Sequence, residues 1–213
     1  MSDENHQTTV YENVQLGSGF AHLFLTGTAG QAISHISYEE HPYAFIAACT
    51  FFAHGMFGVL VKTHTSLSWH HHLKPIYQWI RLTSKSMLLP LINCEMGKKN
   101  GEDDFYNYAH LASGLAPLIY GLGYSTLDND LTVKTERILD IVTMGNVCTL
   151  GYIGTKLKSS LALTAAFWQM FTQFIPVFFE DKVDIKKFDI ETCGLTVLAL
   201  ILDKMFASES LLY

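Results

Sequence analysis

Ser159–Phe179 reads SSLALTAAFWQMFTQFIPVFF, a run without a charge that Lys158 closes on one side and Glu180 and Asp181 on the other. As a helix rising about 1.5 Å per residue, it is long enough to cross a hydrocarbon layer of roughly 30 Å. Nine of its residues are Leu, Ile, Val or Phe, and each favours insertion at a helix centre by very roughly 0.3–0.6 kcal/mol. Gln169 and Gln173 offset part of that gain. Trp168 is the misfit, because an interfacial aromatic belt would place it nearer an end. A single segment of this kind is also what the core helix of a soluble protein looks like, so the decision rests on repetition.

Further charge-free windows run from Asn13 to Tyr38, Ala44 to Val61 and Phe105 to Leu127. The charges gather between them, at Glu39–Glu40, Lys98–Asp104, Asp128–Arg137 and Glu180–Lys187. A soluble bundle spreads charge along one face of every helix. Here it is pushed into connectors. The pattern therefore predicts an all-α, multi-pass transmembrane helix bundle of about six spans, with one interfacial or half-inserted amphipathic helix.

Working outward, residues 1–15 are a polar tail with Asp3, Glu4 and Glu12 and no Lys or Arg, unlike a secretory or mitochondrial leader. Residues 16–207 read as one membrane-embedded helical domain, and 208–213 as a short tail. The first segment, about Leu16 to Ile36, carries Gly17 with Ala21 and Gly30 with Ser34 at small-xxx-small spacing, which lets helix backbones approach closely in lipid. Gly151, in a later segment, is a further helix-packing candidate. Pro42 suits a first helical turn, so Tyr43–Val61 follows as the second span.

Pro75–Asn93 is harder. Arg81 and Lys85 share one face, and Lys85 would lie near mid-membrane if the stretch spanned. Two central cations cost about 5–7 kcal/mol on the insertion scale. Pro90 interrupts the remainder, so an interfacial helix is the expectation, with a full span rescued by neighbouring polar helices as the alternative. Phe105–Tyr124 is a span with tyrosines at both ends, kinked at Pro117. Arg137–Thr155 and the quoted block, joined through Lys156–Lys158, should form an antiparallel hairpin, and Phe188–Phe206 closes the bundle. Six spans place both termini on one side, with nine of the 14 Lys and Arg there, which suits the positive-inside tendency.

Composition limits the function. Net charge is −6, and no basic face calls for nucleic acid. Cys49, Cys94, Cys148 and Cys193 fall in separate segments without a C-x-x-C pair, which argues against a zinc knuckle or a disulfide framework. Nucleophile elbows and phosphate loops are absent. His64, His70, His71 and His72 crowd one connector as weak metal candidates, but they lack the partner boxes of di-iron membrane enzymes, and adjacent side chains diverge. Asp140, Glu191, Asp203 and Lys204 lie near span ends, where anchoring at the headgroups is the expectation.

No catalytic residue and no cofactor is expected. The leading expectation is a non-catalytic membrane component, structural or accessory, packing against other membrane subunits in lipid. One alternative is a small transporter or channel, with Gln31, His54, Asn107, His110, Asn146 and Gln169 as candidates for a polar lining. The other is a histidine-dependent metalloenzyme. The mitochondrial inner membrane and the endoplasmic reticulum both fit.

Overall fold

A computed structural model describes residues 16–63, 67–125, 131–179 and 187–207. Seven α-helices fill them, with no strand among the described residues: α1 Leu16–His35, α2 Pro42–Thr63, α3 Leu67–Asn100, α4 Asp104–Ser125, α5 Leu131–Lys156, α6 Ser160–Phe179 and α7 Lys187–Phe206.

Local chemistry sets several of the ends. Pro42 opens α2, where its missing N–H is not needed. The Asp103 carboxylate accepts the Tyr106 N–H at 3.0 Å and caps α4. Gly101 ends α3 with φ +75°, and the N–H groups of Gly101 and Glu102 return to the carbonyls of Lys98 and Gly97. Lys158 does the same for α5 at φ 53°, with Ser159 N–H on Gly154 O at 2.9 Å. Ser159 then caps α6 by accepting the Ala162 N–H at 3.3 Å. The expected hairpin of α5 and α6 is formed.

Neighbours in sequence pack as neighbours in space, and α1 also lies against α7 while α3 packs on α5. End contacts give the directions. His35, at the end of α1, meets Asp203, at the end of α7, so these two run parallel. His41, just before α2, meets Glu95 late in α3, so those two are antiparallel. Seven alternating helices put residues 16 and 207 at opposite ends of the bundle, which corrects the expectation of both termini on one side.

The second correction concerns Pro75–Asn93. It is neither an interfacial helix nor broken at Pro90. Both prolines sit inside α3, which is 34 residues long. Residues 88–97 are buried all round, as no surface helix would be. Two contacts account for this. Pro90 cannot bond the Ser86 carbonyl, and α4 approaches that carbonyl through Gly114, where a Cβ would come within 2.9 Å of it. Arg81 and Lys85, counted above as too costly to bury, both reach the Glu191 carboxylate of α7.

The core is a cluster drawn from α1–α3 and α5–α7, including Leu25, Phe51, Leu89, Ile92, Leu150, Leu198 and Phe206. Large apolar side chains also face outward, Phe24 at 69%, Phe105 at 78% and Ile141 at 73% exposure. Exposed charges sit toward helix ends, as at Glu39, Lys98, Asp104, Lys156 and Lys204. Two helical stretches among the described residues, Pro42–Thr63 and Arg137–Lys156, are long and apolar enough to cross a membrane. A buried helix of a soluble protein passes the same test.

Candidate functional site

Tyr77, Arg81, Ser84, Lys85 and Asn93 of α3 point in several directions, and each finds a partner on another helix. The first layer joins α1, α2 and α3. His22, His54 and Ser84 are essentially inaccessible and Tyr77 is buried. His22 Nδ1 lies 2.7 Å from the Ser18 carbonyl, and its Nε2 lies 2.8 Å from Tyr77 Oη. That phenol oxygen is also 3.4 Å from His54 Nε2, and His54 Nδ1 lies 2.8 Å from Ser84 Oγ. Gly58 makes room for the His22 ring, since a Cβ there would stand 1.7 Å from it. Gly55 likewise faces the His22 carbonyl and Thr26.

A second layer joins α3 to α7. Arg81 Nη2 donates to Glu191 Oε2 at 2.8 Å, and Lys85 Nζ to Oε1 at 2.7 Å, with all three side chains less than a fifth exposed. Beside it lies a small cleft, with room for little more than a water molecule, lined by Lys85, Thr143, Gln169, Thr172, Gln173 and Glu191, with Leu88 and Leu195. Gln169 Oε1 is buried there without a hydrogen-bond partner. Gln173 donates its amide to Asp140.

The third layer joins α3, α4 and α5. Asn93 Nδ2 donates to both oxygens of Asn146, the carbonyl at 3.0 Å and Oδ1 at 2.9 Å. His110 Nδ1 lies 2.7 Å from the same Oδ1, and Asn146 Nδ2 donates to Val142 O at 2.9 Å. That last bond orients the Asn146 amide and leaves its oxygen to serve the other two residues. Nearby, Cys94 Sγ donates to the Asn107 carbonyl at 3.3 Å.

At the end of the bundle where α3 stops, Glu95 accepts the N–H groups of Tyr43 and Ala44 at 3.0 and 3.3 Å. It thus caps α2 from another helix, where a negative charge suits the helix N-terminus. Asp203, 1% exposed, holds His35 Nδ1 at 2.8 Å and the Gln31 amide at 2.9 Å. Glu191 and Asp203 therefore face inward, not out to a headgroup layer as expected. The reason is a partner within reach in each case. Asp140 and Lys204 are exposed.

The four lining candidates do not converge. His54 belongs to the first layer, Gln169 to the cleft, and His110 with Asn146 to the third. Among the helix-packing candidates, Gly17 and Gly151 face open space, and a Cβ on Gly30 would meet the Phe52 ring at 3.5 Å. Ala21 is half-buried and Ser34 exposed. Close approaches inside the chain fall instead on Gly55, Gly58, Gly97, Gly114 and Gly194. Of the histidine run, His64 and the side chains of His70 and His71 lie outside the described residues, and His72 is exposed on α3. Among the described residues no three of His, Cys, Asp and Glu come together. Tyr77, Ser84 and Asn93 escaped the sequence reading because single polar residues in a mixed helix carry no spacing signal. The inward pairing of Arg81 and Lys85 was hidden in a carboxylate 106 positions away from Lys85.

Residues 39–206 match the model of a domain family of unknown function (DUF4791). The match covers most of the chain, and the chain belongs to that family. No curated protein and no solved structure matches it.

Proposed function

We propose that this member of a family without an assigned function is a non-catalytic, multi-pass integral membrane protein that packs against other subunits of a membrane complex. The observation that carries this reading is where the polar groups go. His54, Ser84, Arg81, Lys85, Asn93, Asn146 and Glu191 bond one another across helices, while outward faces carry Phe20, Phe24, Ile119, Ile141 and Phe167. Such an inside-out distribution suits lipid, where interhelical hydrogen bonds hold a bundle together. The central α3 then becomes a seventh traverse, replacing six spans and an interfacial helix. Counted along the sequence with seven traverses, Lys and Arg divide seven to five between the two sides, with Arg81 and Lys85 inside. Gly17, Gly27, Gly145 and Gly151 face open space and offer a partner helix close approach.

The test is purification from native membranes in mild detergent after in-membrane crosslinking. A defined complex containing other membrane subunits is the expected result. A monodisperse monomer at native expression, with no crosslinked partner, overturns the accessory role.

A second reading, a small transporter or channel, is favoured by the cleft at Lys85 and Glu191 and by the unpartnered Gln169 oxygen. Folded protein in vesicles that passes no ions or common solutes dismisses it.

A further inference from the structure

The small cleft beside the second layer brings four helices to one polar point. Lys85 comes from α3, Thr143 from α5, Gln169 and Thr172 from α6, and Glu191 from α7. Direct bonds join these helices in pairs. Lys85 Nζ donates to Glu191 Oε1 at 2.7 Å, which links α3 to α7, and Gln173 donates to Asp140, which links α6 to α5. Gln169 Oε1 is buried at this point without a hydrogen-bond partner. A buried acceptor to which nothing donates is costly. The cleft it shares is polar and has room for about one water.

We propose that this cleft binds one resident water molecule, which donates to Gln169 Oε1 and ties the Lys85–Glu191 pair of α3 and α7 to α5 and α6. Charge and lone pairs select water over an ion. A cation entering beside the Lys85 ammonium, with the Arg81 guanidinium on the same carboxylate, meets like charge at close range in a low-dielectric interior. An anion meets the Glu191 carboxylate and the Gln169 lone pairs. Water supplies both hydrogens and lone pairs in one neutral molecule. Its hydrogens serve Gln169 Oε1 and Thr172 Oγ1, whose own hydrogen goes to the Trp168 carbonyl. Its lone pairs accept from the Lys85 ammonium and the Thr143 hydroxyl, the donors of the lining. These make up the two to four polar partners, roughly, that a buried water needs. A bond through an ordered water is nearly as good as a direct one, so the water closes a network over four helices that direct bonds join in pairs.

The site goes beyond both readings of function, and its test needs neither a partner nor flux. The full chain, folded in detergent, is given a brief X-ray pulse that turns water into hydroxyl radicals, and oxygenated side chains are located by mass spectrometry. Radicals born from a bound water mark its neighbours even where bulk solvent does not reach. Leu88 and Leu195, the apolar lining of the cleft, are 1% and 6% exposed. Both should be oxygenated several-fold faster than Leu89 and Leu198, which are 1% exposed in the dry core. Gln169→Met with Thr172→Val, which removes two acceptors at nearly constant volume, should bring Leu88 down to the rate of Leu89. Gln169→Met alone should lower Tm, because the bond to water is lost. Leu88 and Leu195 labelled no faster than Leu89 and Leu198 in the folded parent overturn the site, whatever the variants do. A rise in Tm for Gln169→Met overturns it too, since removing an acceptor that lacks a partner stabilises. Labelling of the cleft together with no flux in vesicles keeps the water site and dismisses the transport reading alone.

Discussion

Helices α3 and α6 are opposites in sequence and in position. α6 has no charge along its length and carries Leu163, Phe167, Met170 and Phe171 on its exposed side. α3 carries Arg81, Lys85, Asn93 and Glu95, packs along α2, α4 and α5, and has every residue from 88 to 97 buried. A soluble bundle puts the greasiest helix in the middle. This bundle does the reverse, and the reversal is what a lipid surround would select, since only the interior there can satisfy a polar group.

The largest effect separating the two helices should come from Glu191→Ala. It leaves Arg81 and Lys85 inside the bundle without the carboxylate that both contact, and breaking a buried pair costs about 3–5 kcal/mol. Thermal unfolding in detergent would read this as a large fall in Tm, and Glu191→Gln should recover part of it. A loss below about 1 kcal/mol, the range of surface pairs, would mean that the α3 charges are solvated.

Next comes Phe167→Lys on α6, at a side chain 61% exposed. Facing lipid near a helix centre, a lysine costs about 2.5–3.5 kcal/mol of insertion; facing water, a surface substitution stays within about 0.5 kcal/mol. A glycosylation-mapping assay of membrane insertion distinguishes the two, and a neutral result erases the contrast between α6 and α3.

Asn93→Ala tests the third layer. It removes the donor that serves both Asn146 oxygens, and a buried group left unsatisfied costs about 1–3 kcal/mol. Asn146→Ala made in the same background should add little, because the two act as one unit.

The smallest effect, and the only gain, belongs to the hairpin joining α5 to α6. Lys158 holds φ at 53°, a conformation glycine adopts without a Cβ penalty. Lys158→Gly relieves a left-handed cost of about 1–2 kcal/mol, offset in part by the backbone freedom glycine loses on folding, and should read as a small rise in Tm; a fall would show that the lysine side chain contributes more than its backbone costs.

Much of this architecture was legible in the chain. The runs at Ala44–Val61 and Phe105–Leu127 announce helices by length and lack of charge, and the short Lys156–Lys158 link announces a hairpin. What failed was the cost assigned to a cation in isolation. Arg81 and Lys85 looked too expensive to bury because the price was reckoned without Glu191, which lies far along the chain and is brought near only by the fold. Pro90 misled for a related reason: the helix tolerates it because Gly114 on α4 packs against the Ser86 carbonyl that proline leaves unbonded. The candidate site was less legible still. His54 and Asn146 drew notice as polar residues in apolar runs, but their partners Tyr77, Ser84 and Asn93 look ordinary in a mixed helix. A spacing rule finds residues on one helix face, and these contacts join different helices.

The central claim is that lipid, not water, surrounds the apolar outer faces while the charges of α3 are satisfied inside. Fractionation of cells expressing the full chain tests it most directly, by washing membranes at alkaline pH and then extracting with a mild detergent. The expected result is protein retained in the washed pellet and released, folded and helical, only by detergent. Recovery of folded protein in the detergent-free supernatant at neutral pH would contradict it.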